Sequence, residues 1–176
     1  MPQHIVWQLS PSEKALAIAE GERRQETNAK QGKLGRNNGP ALGDDALRMH
    51  ILGAGGEMAV ASFLGLKDFV FQETEATRGS CDLPFNIDVK TRSRHYYDLI
   101  CLLDESEDKT LVLVTIQNQE IRLHGWLYAH QAKQKQWRKE HVPGRPCYFV
   151  PKDNLRSMEE LKQCLDAQTS PSTPFD

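Results

Sequence analysis

The stretch CDLPFNIDVKTR, residues 81–92, predicts two short β-strands joined by a tight turn at its centre. Side chains alternate across a strand, so Asp88 and Lys90 lie on one face while Ile87 and Val89 lie on the other. An apolar pair facing the core and an acid–lysine pair facing a cleft make a workable catalytic strand. The second strand is therefore the first candidate for chemistry in this chain.

Asp82 lies on the first of these strands, close enough across a hairpin for its carboxylate to approach that of Asp88. Two converging carboxylates repel each other and normally need a cation between them. Oxygen ligands of this kind suit Mg²⁺ or Mn²⁺, which retain several waters and accept a substrate phosphate oxygen. The alternative is that Asp88 and Lys90 form a surface ion pair and that Asp82 only shapes a turn.

A helix is predicted from Asp44 or Asp45 to about Leu64, because apolar residues recur at helical spacing and Gly65 follows. Within this helix, Glu57 has small or apolar neighbours at helical spacing, namely Gly53, Ala54, Val60 and Ala61. A carboxylate in such surroundings is costly unless it is paired or bound to a cation. The alternatives are that Glu57 reaches solvent at the edge of the apolar stripe, or that it hydrogen-bonds a nearby backbone group.

The chain resembles the PD-(D/E)XK, or restriction-endonuclease-like, nuclease superfamily in three pieces that follow one another. They are the helix GAGGEMAVASFLGL (residues 53–66), Asp82, and the strand IDVKTR (residues 87–92). The later strand pair LVLVTIQNQEIRLHGWLYA, residues 111–129, ends in a Gly-Trp that many small members show. The likeness covers roughly residues 45 to 165.

The resemblance implies an α/β fold with a restriction-endonuclease-like core, in which a central mixed β-sheet is flanked by helices. It implies hydrolysis of DNA phosphodiester bonds by metal-activated water, with Asp82, Asp88 and the carbonyl of Val89 holding one Mg²⁺ or Mn²⁺ ion. Lys90 would orient the attacking water or offset developing negative charge. Glu57 would bind the ion through water, or hold a second ion. The short gap between Asp82 and Asp88 requires a very tight hairpin.

Three regions are predicted along the chain. Residues 1–43 form an N-terminal helical arm and loop, residues 44–166 form the nuclease-like domain, and residues 167–176 form a flexible tail. The other predicted helices are one at residues 11–33 and a C-terminal helix capped by Asn154 or Ser157, and residues 129–141 are predicted to be helical or irregular. Strands are predicted at residues 67–72, 96–104, 110–116, 120–128 and 145–151, with a hairpin through residues 117–119. Loops are predicted at residues 32–43 and 73–80.

Two basic segments are candidates for contact with nucleic acid. Arg92 and Arg94 continue the Lys90 face by alternation, and positive charge beside the acids could hold a phosphate backbone. A solvated edge strand would show the same residues. The second segment combines positive charge with an aromatic ring, which suits backbone contact and base stacking, although a solvated helix with one anchoring tryptophan would look similar. Its members are Lys133, Lys135, Trp137, Arg138 and Lys139.

The composition is that of an ordinary globular domain of 176 residues with a net charge of -2, so any grip on nucleic acid must come from a local basic patch. No apolar run is long enough to cross a bilayer, and the N-terminus lacks the pattern of a signal peptide. The four cysteines form no CxxC pair, which favours reduced thiols in the cytoplasm, or in the host cytoplasm if the protein is phage-encoded. The sequence GAGGE lacks the third glycine of a dinucleotide fingerprint.

Three functional hypotheses follow. The leading one is a metal-dependent nuclease acting on DNA, and a homodimer would suit cleavage of both strands. The first rival is a non-catalytic nucleic-acid-binding module on the same fold, with the acids retained but without turnover. The second rival is a structural or assembly protein in which the acidic cluster only binds a cation.

Overall fold

The computed structural model describes residues 3–32, 44–71 and 81–169. Its helices are α1 (Pro11–Lys30), α2 (Asp44–Phe63), α3 (Ala129–Ala132) and α4 (Met158–Thr169). Its strands are β1 (Ile5–Trp7), β2 (Ile87–Arg92), β3 (Leu99–Leu102), β4 (Thr110–Gln117), β5 (Glu120–Tyr128), β6 (Arg138–Lys139) and β7 (Cys147–Val150).

The main sheet is mixed and has the strand order β1-β5-β4-β2, with β2 parallel to β4 and the other pairs antiparallel. The predicted α/β class with a mixed sheet and helices is therefore confirmed. The sequence predicted one sheet, whereas β3, β7 and β6 pair antiparallel in a second, smaller sheet. Among the strands of the described residues, β2 is the last one of the main sheet, so one of its edges faces away from β4.

Strand β4 lies between two hydrophobic cores, which explains its nearly continuous apolar run. Val112 and Val114 pack with residues of α2 and α4 in the larger core. Leu111 and Leu113 pack on the opposite face with residues of β3, β7 and α3. Asp88 and Lys90 of β2 are paired in register with these two leucines, and they share that second face.

The turn predicted within residues 81–92 is present and very tight. Phe85 and Asn86 adopt left-handed backbone angles, with φ of 63° and 60°. The N–H of Leu83 donates to the carbonyl of Ile87 at 3.0 Å, and this pair is an isolated bridge. The first of the two predicted strands is thus reduced to a single bridging residue, but the turn reverses the chain as the short gap requires.

Helix α2 lies in direct contact with the main sheet because its sheet-facing residues are small. Ala54 and Ala59 are fully buried, and a Cβ built on Gly56 would lie 1.9 Å from the hydroxyl oxygen of Thr91 in β2. Helix α1 packs on α2 in the same way, since a Cβ on Gly21 would lie 2.6 Å from the backbone nitrogen of Ile51. The approach of α2 positions the residue after Gly56 against β2.

Other predictions had mixed outcomes. The hairpin through residues 117–119 is confirmed as a two-residue turn at Asn118 and Gln119, both with positive φ. Ser157 is the cap of α4, since its Oγ accepts from the N–H of Glu160 at 3.2 Å. The strand predicted at residues 67–72 is wrong for residues 67–71, which turn and pack aromatic rings against the core instead of pairing. Strand β1 was not predicted.

Some predictions fall outside the described residues. They are the loops at residues 33–43 and 73–80 and the part of the flexible tail at residues 170–176. Residues 167–169, at the start of the predicted tail, are helical because α4 continues to Thr169. Within the described ranges, no helix combines the length and the apolar character that crossing a bilayer requires.

The contact between α2 and β2 predicts opposite effects for two glycines of the same helix. Gly56→Ala should lower the free energy of unfolding by about 1–3 kcal/mol, because the added methyl group overlaps Thr91. In Gly53→Ala, the nearest atom to the new methyl group is 3.9 Å away on Arg24, so the higher helix propensity of alanine should stabilise by up to about 1 kcal/mol. Urea unfolding of both variants measures this, and equal stabilities would contradict the close contact.

Candidate functional site

The tight turn brings Asp82 against the open edge of β2. Its Oδ2 accepts a hydrogen bond from the backbone N–H of Val89 at 2.7 Å. Its carboxyl group also hydrogen-bonds that of Asp88. The carbonyl of Val89 faces the same edge as its N–H, because both backbone groups of a strand residue point to one side. The two carboxyl groups thus meet at this edge, and the carbonyl of Val89 is directed to the same side.

The two aspartates differ in their affinity for protons. Burial, together with the negative charges of Glu57 and Asp88, raises the pKa of Asp82 to about 8. Burial also disfavours the charged form of Asp88, but the ammonium groups of Lys90 and Lys109 outweigh it and lower the pKa of this carboxyl. These opposite shifts of the two pKa values favour the proton on Asp82 over Asp88.

Glu57 is buried, with 6% of its surface exposed, and it is paired. Two nitrogens of the Arg24 guanidinium donate to its carboxylate oxygens at 2.8 and 2.7 Å, and Arg24 also bonds Glu20 at 2.7 Å. Burial raises the pKa of Glu57 and the guanidinium opposes that rise, while the charge of Glu57 acts on Asp82. The carboxylate of Glu57 is therefore stabilised by an ion pair, and not by solvent or by a backbone hydrogen bond as the two alternatives predicted. Glu57 acts on Asp82 and Asp88 through its charge, and its direct partner is Arg24.

Lys90 contacts two carboxylates. Its Nζ lies 2.6 Å from Oδ2 of Asp88 and 3.0 Å from Oε2 of Glu105. Glu105 also binds Lys109, whose Nζ lies 3.1 Å from Oε1. Glu105 and Lys109 are both buried, in the loop before β4 and directly ahead of the strand that pairs with β2.

Sequence reasoning missed Arg24, Glu20, Glu105 and Lys109. The helical spacing of Glu20 and Arg24 in the first helix could have indicated their ion pair. The pairing of Arg24 with Glu57 has no local signal, since these residues are separated by 33 positions. Glu105 and Lys109 lie in a segment that looks like a polar loop, and only the parallel pairing of β4 with β2 places them beside Asp88.

The predicted nucleic-acid contacts divide into two groups. Arg92 donates to the carbonyl of Asp98 at 3.0 Å and lies over the ring of Tyr97, while Arg94 is exposed. Lys133 donates from Nζ to the carbonyl oxygen of Glu105 at 2.5 Å, so it lies beside the acids. In the second basic segment, Trp137 packs on the smaller core, whereas the other three residues are exposed, namely Lys135, Arg138 and Lys139.

The residues at the edge of β2 fit a small hard cation. Mg²⁺ in proteins is held by one or two carboxylates and keeps several waters, and Asp82, Asp88 and the carbonyl of Val89 supply such oxygens. Burial, and then the negative charges of Glu57 and Asp88, disfavour the ionised form of Asp82 and raise its pKa. Among the described residues, no group of three or more His, Cys, Asp or Glu side chains is arranged to hold a metal ion.

Comparison of the chain with protein-family models, with curated proteins and with solved structures finds no match.

A surface cleft of about 330 Å³ contains none of the candidate site residues, since it is lined by Glu107, Asp108, Tyr128 and His130. The candidate site is therefore defined by its own geometry, namely the acids at the edge of β2 and the basic side chains that surround them.

The pKa of Asp82 predicts a pH-dependent stability. The folded protein keeps this proton up to pH about 8, whereas the unfolded chain releases it near 3.8, so the contribution of Asp82 to stability is lost as pH rises between these values. Asp82→Asn should remove this loss, which has a slope of up to about 1.4 kcal/mol per pH unit. Urea unfolding at several pH values in EDTA measures it. Parallel profiles for the two proteins would contradict the shared proton.

The buried ion pair of Arg24 predicts a strong coupling with Glu57. Arg24→Met should lower the free energy of unfolding by about 3–5 kcal/mol, because it leaves a buried carboxylate without its partner. Adding Glu57→Gln to the same chain should restore most of that loss. Arg23→Met is the matched control, since Arg23 is 42% exposed and its pair with Glu20 should be worth less than about 1 kcal/mol. Additive effects of the two changes would show that the pair is not coupled.

Proposed function

We propose that this chain is a divalent-metal-dependent nuclease of the PD-(D/E)XK type that hydrolyses phosphodiester bonds in DNA. The observation that carries the proposal is the contact between the carboxyl groups of Asp82 and Asp88, beside the ammonium group of Lys90. Two acids and a lysine on the edge of a mixed sheet, with a helix glutamate behind them, correspond to the motif of this superfamily. We also propose that α2 and the main sheet form a restriction-endonuclease-like core.

In the proposed reaction, Asp82, Asp88 and the carbonyl of Val89 are the groups that would hold the cation. Asp82 gives up the proton that it shares with Asp88 when the cation binds, so affinity should increase as pH rises toward the pKa of Asp82. A bound Mg²⁺ or Mn²⁺ supplies a water of lowered pKa and stabilises charge on the phosphate. Lys90, held 2.6 Å from Asp88, donates a hydrogen bond to the attacking water or to a phosphate oxygen.

Glu57 has a supporting role in this proposal. Both oxygens of its carboxylate already accept hydrogen bonds from Arg24. Glu57 would therefore contact the cation through a water molecule. Its negative charge raises the pKa of Asp82, which disfavours two ionised carboxylates without a cation. Replacement of Glu57 should therefore affect cation binding more mildly than replacement of Asp88.

The DNA backbone would be held by basic side chains. Lys133 is the best placed of the predicted contacts, since it bonds the backbone of Glu105, which in turn binds Lys90. Arg94, Lys135, Arg138 and Lys139 are exposed and would add contacts to phosphates. Trp137 and Arg92 are engaged within the fold, so their contribution would be to position neighbouring residues rather than to bind directly.

A cleavage assay tests the proposal. Plasmid, linear duplex and single-stranded DNA are incubated with the protein in Mg²⁺, in Mn²⁺ and in EDTA, and the products are separated on gels. We expect cleavage that requires the metal and that falls by at least about 100-fold in Asp88→Asn and in Lys90→Met. The matched controls are Asp68→Asn and Lys67→Met, because both residues are exposed and neighbour each other in sequence.

The rival functions correspond to other outcomes of the same assay. DNA binding without cleavage under every condition would overturn the nuclease in favour of a binding module. Cation binding without affinity for DNA would favour a structural or assembly protein. Equal loss of activity in the control variants would show that the acid pair has no special role. Circular dichroism of each variant checks that it is folded.

A further inference from the structure

Four charged side chains form a closed ring of alternating sign that includes Asp88 of the acid pair. Its members are Asp88, Lys90, Glu105 and Lys109. Lys90 lies 2.6 Å from Asp88 and 3.0 Å from Glu105, and Lys109 lies 3.1 Å from Glu105 and 3.8 Å from Asp88. Each ammonium group therefore contacts both carboxylates. The side chains of the ring are between 5% and 20% exposed, so solvent screens these interactions only weakly.

Glu105 is the most buried member of the ring, with its side chain 5% exposed. Its backbone is held on both sides, since its N–H donates to Leu102 and its carbonyl accepts from Lys133. Lys109 is held as well, because its carbonyl accepts from the N–H of Ala129 at 2.9 Å. The ring is thus anchored on β2, on the loop before β4 and on α3, and each anchor restricts how far its side chains can move.

The balance of charge in the ring explains how Glu105 affects the contacts of Asp88. Two ammonium groups and two carboxylates balance each other within the ring. Without Glu105, both buried lysines would depend on Asp88 alone, because a buried ammonium group without a partner is costly. Asp88 would then be held in place by Lys90 and Lys109 together, and any other partner of Asp88 would have to displace both.

We propose that Glu105 is a positioning residue of this site, which holds the ammonium groups of Lys90 and Lys109 so that Asp88 can exchange them for a divalent cation. In this arrangement Lys90 keeps a counterion when Asp88 binds the cation, and its ammonium group stays beside the reacting phosphate. Lys109 lies nearer to Glu105, at 3.1 Å, than to Asp88, at 3.8 Å, so Glu105 is the counterion that Lys109 would keep when Asp88 binds the cation. The inference rests on the proposed nuclease function, and it concerns residues outside the superfamily motif.

The first test measures binding of Mn²⁺ to the full chain by electron paramagnetic resonance. Glu105→Gln should weaken Mn²⁺ binding by about 10- to 100-fold, the usual effect of removing a residue that orients a metal ligand. Glu107→Gln is the matched control, since it removes an exposed carboxylate from the same loop and should leave the affinity unchanged. The double variant Glu105→Gln/Lys109→Met should recover most of the affinity, because one lysine again faces one aspartate. A double variant that binds no better than Glu105→Gln would overturn the positioning role.

The second test measures the chemical reactivity of the two lysine side chains, and it does not depend on catalysis. Wild type and variants are acetylated briefly under one condition, and modification of Lys90 and Lys109 is measured by mass spectrometry relative to exposed Lys67. Modification of both ring lysines should rise several-fold in Glu105→Gln and stay at the wild-type level in Glu107→Gln. Equal modification in the two variants would overturn the proposal.

Failure of this inference is distinguishable from failure of the proposed function. A wild-type protein that cleaves no DNA, while Glu105→Gln still releases Lys90 and Lys109 for acetylation, would defeat the nuclease but support the role of Glu105 in holding the lysines. A protein that cleaves DNA with equal kcat in Glu105→Gln and Glu107→Gln would defeat the positioning role alone. Glu105→Asp provides a rescue variant, and it should retain more activity than Glu105→Gln because it keeps the negative charge.

Discussion

The close approach of α2 to β2 is the constraint on which the candidate site depends. A side chain at Gly56 would overlap Thr91, and Ala54 and Ala59 are fully buried beside it, so only small residues allow the helix to lie this near the sheet. Glu57 follows Gly56 and is therefore placed in the interior, within electrostatic reach of Asp82 and Asp88. A fold that buries a carboxylate in this way must also supply a partner for it.

The protein balances the charges of the site with its own groups. Arg24 pairs with Glu57, a proton is shared between Asp82 and Asp88, and two lysines surround Asp88. Two of these partners have an alternative: the pKa of about 8 lets Asp82 lose its proton at mildly alkaline pH, and Lys90 has a second carboxylate in Glu105. The charges of the acids are therefore balanced within the protein itself.

Local patterns predicted most elements, and the failures have physical reasons. The hairpin at Asn118 and Gln119 and the cap at Ser157 follow from short-range preferences of turns and helix ends. The aromatic segment at residues 67–71 looked like a strand, but its two phenylalanine rings are partly buried against the core without strand pairing. The prediction failed because packing against a core and strand pairing favour the same residue types. The division of the strands into two sheets was not predicted, since alternation within a strand does not identify its neighbours.

The sequence by itself determined that Asp88 and Lys90 share one face of a strand and that small residues surround Glu57. Both follow from the fixed geometry of strands and helices, which acts over a few residues. Only the tertiary structure decided that Arg24 pairs with Glu57 and that Glu105 and Lys109 complete the surroundings of Asp88. Those contacts join residues that are distant along the chain, and they depend on how α1 packs on α2 and how β4 pairs with β2.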